Sequence, residues 1–246
     1  MIKGMAALAA LVLAGNAQAA TLLHSYEFNG TAVTDSTGNL DGALGGGATV
    51  SGGTLNLDGA NDFAMLGGKA LDLTAAHSVY LRYSATGQNK ELAEMVSQGF
   101  SGQPGFYIGT GGGRQEIRLT DYRRDSIGVV LPQDGTFHDL LYTTGNGTSL
   151  YIDGTLVFSA AENFTAGNNA GFDTLFGNQF GNQFNEYFAG RIDRALFFDG
   201  VATYAEAIGS VPGGVPEPAT WAMMIGGFGV VGGAVRRRPT AKVSFA

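Results

Sequence analysis

The sequence predicts an all-β protein in which two antiparallel sheets pack face to face. Glycine contributes 40 of the 246 residues and charged residues only 14%, against usual shares of about 7% and about 25%. Apolar and polar residues alternate in short runs that end in Asn-Gly or Asp-Gly turns. Between residues 21 and 210 no segment shows a sustained 3.6-residue apolar period, so helices are not expected to build the core.

Residues 1–19 form a predicted helical signal peptide. Lys3 supplies a positive start, an apolar run covers residues 5–14, and Ala17 and Ala19 form the small-residue cleavage pattern. A buried amino-terminal helix is the other interpretation of this run. A cleaved signal peptide implies export through the Sec translocon and a mature chain that starts near Ala20.

Residues 20–210 form the predicted body, whose strands follow one another with turns at nearly regular spacing. Strands are expected, in order, at residues 22–28, 54–57, 63–66, 77–84, 140–144, 149–152, 155–158 and 188–198. The clearest stretch, 136–158, contains two consecutive hairpins that turn at Gly145-Asn146-Gly147 and Asp153-Gly154, because these residues tolerate positive φ. A short helical turn is expected at 204–209. Many short strands without helices favour a sandwich.

The composition changes at Val211. Residues 211–215 are rich in proline and glycine and read as a linker, and residues 216–246 form a separate tail. Within the tail, residues 219–235 lack charge and precede three arginines. This length sits at the lower limit for a transmembrane helix, and the arginines would stay on the cytoplasmic side. Without its two ends, the body has nine basic and twenty acidic residues, a net charge of −11, which disfavours nucleic-acid and anionic-lipid partners.

The tail resembles the PEP-CTERM sorting signal. The matching residues are Pro216, Glu217, Pro218, Trp221, Arg236, Arg237 and Arg238, with Ala222-Met223-Met224 and Gly227-Phe228-Gly229 between them. The resemblance implies recognition by a membrane-embedded exosortase, transient anchoring in the inner membrane and removal of the tail. It also implies delivery to the cell surface or exopolysaccharide matrix of a Gram-negative bacterium. An ordinary single-span anchor is the alternative.

The body carries a second resemblance through an ordered set of short pieces. The pieces are Tyr26-Glu27-Phe28-Asn29-Gly30, Asp35-Ser36-Thr37-Gly38-Asn39, Leu57-Asp58-Gly59, Tyr151-Ile152-Asp153-Gly154 and Phe188-Ala189-Gly190-Arg191-Ile192-Asp193. Taken together they resemble the concanavalin A-like jelly roll of laminin-G-like domains over almost all of residues 20–210. The resemblance implies a jelly-roll sandwich of two antiparallel sheets.

The loop at residues 35–39 suggests a structural calcium ion. Asp35 and Asn39 supply side-chain oxygens, the ligands that calcium prefers. In similar domains this loop lies near the first and last strands, where Asp193 would complete the shell and Glu27 is a further candidate. The alternative is that Asp35 makes an Asx-turn and Asp193 pairs with Arg191 or Arg194.

Catalysis finds no support in the sequence. Jelly-roll glucanases use two carboxylates on one face of a strand, whereas the spacing of Glu91 and Glu94 sends their side chains to opposite faces. The Gly-x-Ser-x-Gly turn of serine hydrolases does not occur. We therefore expect a protein that is not an enzyme.

Carbohydrate binding is predicted from residues 172–188, where aromatic rings that stack on sugars interleave with amides that bind hydroxyls. The predicted contacts are Phe176, Asn178, Phe180, Asn182 and Phe184. The alternative is that half of the phenylalanines in this stretch fill the core and the amides make loops. Arg118, Arg123 and Arg124 form a basic cluster that suits an acidic polysaccharide, or that pairs with Asp121 and Asp125.

The sequence as a whole predicts an exported, surface-sorted β-sandwich that binds or organises exopolysaccharide without catalysis. A structural matrix or adhesion protein without a glycan site is the alternative. A glycoside-processing enzyme is the third hypothesis.

Overall fold

The computed structural model describes most of the predicted body. The described residues are 20–87, 89, 92–99, 105–111, 116–120, 126–164, 172–179 and 185–210. The signal-peptide positions Ala17 and Ala19 lie outside them, as do the linker and the whole sorting tail. Among the described residues, no helix has the length and apolar character that crossing a membrane requires.

Two antiparallel sheets form the body, as predicted. The eight-stranded sheet contains β1 (Thr21–Tyr26), β3 (Thr49–Ser51), β4 (Thr54–Asp58), β6 (His77–Ala85), β11 (His138–Thr144), β12 (Thr148–Ile152), β13 (Thr155–Ala160) and β15 (Ala189–Asp199). The seven-stranded sheet contains β2 (Gly42–Gly45), β5 (Phe63–Leu66), β7 (Ala93–Gln98), β8 (Phe106–Gly111), β9 (Glu116–Thr120), β10 (Ser126–Val130) and β14 (Thr174–Phe176). Strands are numbered in chain order, and one helix, α1 (Tyr204–Gly209), follows β15.

Strand order within each sheet departs from chain order. The eight-stranded sheet runs β13-β12-β11-β6-β15-β4-β3, with β1 also paired to β15, and the seven-stranded sheet runs β10-β9-β8-β7-β14-β5-β2. The late strands β14 and β15 therefore lie between strands from the first half of the chain. Such crossings are what jelly-roll topology requires, and they bring residues distant in sequence onto one face.

The two predicted hairpins are confirmed. β11 pairs with β12 from Leu140–Ile152 to Thr144–Thr148, and β12 turns into β13 at Asp153 and Gly154, whose φ angles are 50° and 77°. Two successive positive φ values match the right-handed twist of the flanking strands. This local chemistry fixes the register of three neighbouring strands.

The core lies between the sheets and is rich in aromatic rings. Tyr26 contacts Phe176 and Phe197 edge-on, with ring centroids 5.5 Å and 6.0 Å apart, and Phe28 contacts Phe176 at 5.9 Å. All four side chains are buried. Each fully buried side chain of this kind contributes about 1.5–3 kcal/mol, which suits a chain without cysteine.

The outer faces of the two sheets are covered differently. On the eight-stranded sheet, Ala202 and Ala207 pack over Tyr80, Leu141 and Phe198 and cover one end of the face. On the seven-stranded sheet, residues 177–179 and 185–188 lie beside β7, and the Phe188 amide donates to the Gly177 carbonyl at 3.0 Å. Elsewhere the outer face of the eight-stranded sheet carries polar side chains, among them the exposed Arg191, the half-buried Asn56 and the buried Ser84.

Candidate functional site

The predicted calcium ligand Asp35 serves the protein's own backbone. Its carboxylate accepts hydrogen bonds from the amides of Ser25, Thr37, Gly38 and Leu40 at 3.0–3.2 Å. Burial alone would raise the pKa of this carboxyl, but the hydrogen bonds, led by that from Gly38, lower it to about 2. A carboxylate surrounded by N–H donors is held as an anion by the loop itself, so its environment does not fit a calcium ion.

The other predicted ligands have separate partners. Asp193 forms an ion pair with Arg82 at 3.2 Å, rather than with Arg191 or Arg194, and Glu27 accepts from the Asn29 side-chain amide at 3.1 Å. Asn39 is exposed. Across the part of the chain that the structure describes, no three His, Asp or Glu side chains are placed to hold a metal ion. The predicted calcium set therefore does not assemble.

The predicted glycan contacts divide into buried and undescribed residues. Phe176 has no exposed surface and packs in the core, so its predicted stacking on sugar is wrong. Asn178 is 3% exposed, and its backbone carbonyl accepts a hydrogen bond from the Ser97 hydroxyl at 2.7 Å. Phe180, Asn182 and Phe184 lie outside the described residues and stay a prediction.

A buried ionic triad occupies the outer face of the seven-stranded sheet. Arg118 on β9 contacts Glu94 on β7 and Glu186, which lies shortly before β15, the latter at 3.0 Å. The side chains of Arg118 and Glu94 are 4% and 0% exposed. Gln179 donates to Glu186, and the guanidinium carbon of Arg118 lies 5.2 Å from the ring centre of Tyr107.

Gly109 on β8 lies close against β7 at Ala93 and Glu94. A Cβ atom at that position would lie 2.6 Å from a Glu94 carboxylate oxygen and closer still to the Ala93 backbone carbonyl oxygen, nearer than such atoms can approach. The backbone also joins Glu94 and Glu186, because the Glu94 amide donates to the Glu186 backbone carbonyl at 2.9 Å. The carboxylates of the triad are neutralised in part by one arginine and withdrawn from solvent, so they bind protein and not an external ligand.

The sequence does not reveal this triad, because Glu94, Arg118 and Glu186 lie on segments that are distant from one another in the chain. Gly109 gives no usable signal, because it stands in the run Gly109-Thr110-Gly111-Gly112-Gly113, which reads as a turn.

An open polar cleft lies on the outer face of the eight-stranded sheet and has a volume of about 410 Å3. Its lining comprises Gly47, Thr49, Asn56, Leu57, Asp58, Asp62, Ser84, Thr86, Ala189, Gly190 and Arg191. The strand register sets these side chains in rows. Arg191 on β15 lies between Asn56 on β4 and Ser84 on β6, and Ala189 lies opposite Asp58. Because successive outward positions are about 7 Å apart along a strand, the two rows frame a depression over the small Ala189 side chain.

The cleft offers both a cation and an anion. Arg191 is exposed, its guanidinium carbon lies 5.0 Å from the Phe137 ring centre, and it donates to the Ser84 hydroxyl at 3.4 Å. Asp58 is exposed and accepts from the amides of Ala60 and Asn61 at 2.7 Å and 3.4 Å. The hydrogen bond from Ala60 is the main reason that the pKa of Asp58 is lowered. The carboxylate is therefore ionised at neutral pH.

A second cleft of about 480 Å3 lies beside β1 and is lined by Leu23, His24, Lys69, Ala70, Leu71, Asp72, Leu73, Thr74 and Gln98. Its polar groups are largely committed within the protein. The Gln98 amide bonds both backbone groups of Leu71, at 2.7 Å and 3.0 Å, and Asp72 accepts from Thr74 at 2.7 Å. The first cleft is therefore the better candidate for a ligand.

Two family models match the chain. Residues 58–207 match the concanavalin A-like lectin/glucanases superfamily, and residues 214–238 match the PEP-CTERM protein-sorting motif. No curated protein matches the chain in sequence.

Solved structures share the fold. Domain 4 of AbnA, a GH43 extracellular arabinanase from Geobacillus stearothermophilus in complex with arabinotriose, is 20% identical with a TM-score of 0.60, covering 76% of this chain and 96% of that one. Trypanosoma rangeli sialidase in complex with sialic acid is 12% identical with a TM-score of 0.56. The match covers 75% of this chain and 32% of the sialidase. The binding domain of botulinum neurotoxin serotype D is 14% identical with a TM-score of 0.55, covering 76% of this chain and 50% of that one. These likenesses concern the fold.

Proposed function

This chain belongs to the concanavalin A-like lectin/glucanases superfamily, and we propose that it is an exported, surface-sorted protein that binds exopolysaccharide and is not an enzyme. The observation that carries the proposal is the polar cleft on the outer face of the eight-stranded sheet. Its volume of about 410 Å3 lies within the range of about 300–1,000 Å3 typical of small-ligand pockets.

The chemistry of the cleft suits sugar hydroxyls, which both donate and accept hydrogen bonds. The Arg191 guanidinium donates, the Asp58 carboxylate accepts, and the Thr86 hydroxyl can do either. Most of these groups project from paired strands, so binding orders little backbone and costs little conformational entropy. The complex of AbnA domain 4 with arabinotriose supports sugar binding as a use of this fold.

That the protein is not an enzyme is proposed from the state of its buried carboxylate pair. Glycosidases hold two carboxyl groups about 5–9.5 Å apart on either side of the bond that they cleave. Glu94 and Glu186 instead share Arg118 and are shielded from solvent. They also lie on the sheet opposite the polar cleft.

A glycoside hydrolase is the second candidate, and one observation favours it. Asp58 and Asp62 both line the cleft. Hydrogen bonding, chiefly from Ala60, lowers the pKa of Asp58, whereas burial raises the pKa of Asp62. Opposite shifts of neighbouring carboxyls are typical of a base and an acid. In this chain the Asp62 carboxylate also accepts from the Asp58 amide at 3.0 Å, a bond that closes the turn, and we therefore favour a structural role.

Export is proposed from the sorting motif at residues 214–238. The Sec translocon would carry the chain outward, the tail would anchor it transiently in the inner membrane, and an exosortase would remove the tail. The mass of the mature protein recovered from the producing cells tests both cuts. A mass that retains residues 1–19 or 216–246 would contradict the proposal.

Binding is tested with the mature protein against the exopolysaccharide of the producing strain and an array of polysaccharides. We expect binding that Thr86→Trp abolishes, because the indole would fill the exposed rim of the cleft. Thr74→Trp, a matched substitution on the exposed rim of the second cleft, should leave binding intact. Failure to bind any polysaccharide would favour the matrix or adhesion hypothesis, and turnover lost in Asp58→Asn would favour the hydrolase.

A further inference from the structure

Arg191 differs from the other arginines that the structure describes. Arg82 and Arg118 form ion pairs with carboxylates, whereas Arg191 and Arg194 have no carboxylate within 4.0 Å among the described residues. Of these two, only Arg191 is exposed. An unpaired, exposed arginine in a cleft is notable in a body that carries a net charge of −11, where carboxylates are abundant.

We propose that the polar cleft binds an acidic polysaccharide and that Arg191 holds the carboxylate of its sugar units. This inference rests on the proposed function of the cleft and names the class of ligand. The residue proposed to bind the acid is Arg191. The cluster around Arg118 that the sequence indicates is not used, because Arg118 is buried and paired with glutamates.

The geometry of Arg191 suits a carboxylate. A guanidinium presents parallel N–H donors that bind both oxygens of a carboxylate. Arg191 is held against Phe137 at 5.0 Å and against the Ser84 hydroxyl at 3.4 Å. These contacts restrict the long side chain before the ligand arrives, so less rotamer entropy is lost on binding. Neither contact neutralises the charge.

The opposite charges in the cleft orient a bound sugar. Arg191 lies in one row of the cleft and Asp58 in the other, about 7 Å away along the strands. A carboxylate near Asp58 would be repelled, whereas hydroxyl groups can donate to it. The acid group of a bound sugar therefore faces Arg191, and its hydroxyl edge faces Asp58.

The acidic body does not prevent this contact. At physiological ionic strength, charges further apart than about 8 Å are largely screened, so the local ion pair dominates over the net charge. Added salt should weaken both the distant repulsion and the local attraction. We therefore expect a weaker salt dependence than a polybasic surface would give.

The test uses the polysaccharide that binds the mature protein, before and after chemical reduction of its carboxylates to primary alcohols. We expect the native form to bind about 10- to 100-fold more tightly than the reduced form, as the contribution of one charged hydrogen-bonded contact predicts. Arg191→Gln should weaken binding to the native form by the same factor and abolish the preference. Lys69→Gln, which removes one exposed positive charge at the second cleft, is the control and should preserve the preference.

The outcomes separate this inference from the proposed function. Equal binding of native and reduced polysaccharide, with binding still lost in Thr86→Trp, would overturn the acidic ligand and leave glycan binding in place. The same holds if the bound polysaccharide contains no carboxylate. Loss of the preference in Lys69→Gln would also overturn the role of Arg191. No binding to any polysaccharide would overturn both.

Discussion

Two arginines on the two outer faces of the sandwich show opposite solutions to the same problem. Arg118 lies on the seven-stranded sheet, almost fully buried, with two glutamates and a tyrosine ring around it. Arg191 lies on the eight-stranded sheet, exposed, against a phenylalanine ring and a serine hydroxyl. A buried charge must find its partners within the protein, whereas an exposed one keeps its water until a ligand replaces it.

The comparison separates stability from binding. Removing one member of a buried ionic group leaves the others uncompensated and costs far more than the group contributes. Removing an exposed charge costs little. The two faces should therefore respond differently to the same kind of substitution.

Arg118→Met should have the largest effect. It leaves Glu94 and Glu186 buried without a cation, and we expect the free energy of unfolding to fall by about 3–5 kcal/mol. Urea unfolding measures the loss. Glu94→Gln and Glu186→Gln added to Arg118→Met should restore part of it, since no unpaired charge is left. An unchanged midpoint in Arg118→Met would mean that the triad is accessible to water and that the contrast between the faces is wrong.

Gly109→Ala should follow in size. The new Cβ would meet the Ala93 backbone carbonyl oxygen of β7 and a Glu94 carboxylate oxygen, the latter at 2.6 Å, and overpacking of this kind costs about 1–3 kcal/mol. Gly111→Ala is the matched control on the same strand, because its Cβ would meet Arg118 at an ordinary 3.4 Å. Chemical denaturation of the two variants should separate them clearly. Equal stabilities would show that Gly109 is not pressed against Ala93 and Glu94 of β7.

His138 provides an intermediate case at the rim of the eight-stranded sheet. It bonds Asp153 at 2.8 Å and Asp134 at 3.1 Å. Burial lowers its pKa, but the two carboxylates raise it more, so the net pKa lies above 6.5. Protonated His138 therefore stabilises the folded state. This contribution is fully present below pH 6.5 and is lost as the pH rises through the pKa of His138 in the folded protein.

The wild-type protein should be more stable than His138→Gln at pH 6, and this difference in stability, the stability gap, should narrow towards pH 8.5. We expect a smaller change than for Gly109→Ala, because Asp134 is exposed and water screens the pair. Thermal melts across this range measure the gap. A gap that widens with pH would mean that neutral imidazole is the bound form.

Arg191→Gln should have the smallest effect on stability. Surface substitutions of this kind usually stay within about 0.5 kcal/mol, although this variant is expected to lose binding of the acidic ligand. Its urea midpoint, compared with that of Arg118→Met, tests the contrast directly. A loss as large as that of Arg118→Met would make Arg191 a structural residue.

Local chemistry made much of the eight-stranded sheet predictable. The hairpins of β11, β12 and β13 depend on turn residues that lie between their own strands, and the alternation of apolar residues marks their inner face. No strand was predicted between residues 85 and 136, where β7, β8, β9 and β10 lie. In β9 the core residues Ile117 and Leu119 do alternate with Arg118, but no Asn-Gly or Asp-Gly turn marks the strand ends between residues 86 and 133.

The sites were less predictable because each depends on strands that are distant in sequence. Glu94 and Glu186 meet because β14 lies between β5 and β7, and Asn56, Ser84 and Arg191 meet through the pairing of β15 with both β4 and β6. The loop of Asp35 illustrates a different difficulty. From the sequence alone, the side-chain oxygens of Asp35 could bind a cation or accept hydrogen bonds from amides. Only the fold shows that backbone amides reach them.

The length of β15 has a practical consequence for any binding measurement. Ala189 at one end of this strand lies in the cleft, whereas Asp199 at the other end pairs with Thr21. Eleven residues at about 3.3 Å each separate the two ends by roughly 35 Å. A fluorophore or surface linker placed beside Ala20 would therefore leave the mouth of the cleft unobstructed, and immobilised protein would present it to polymers in solution.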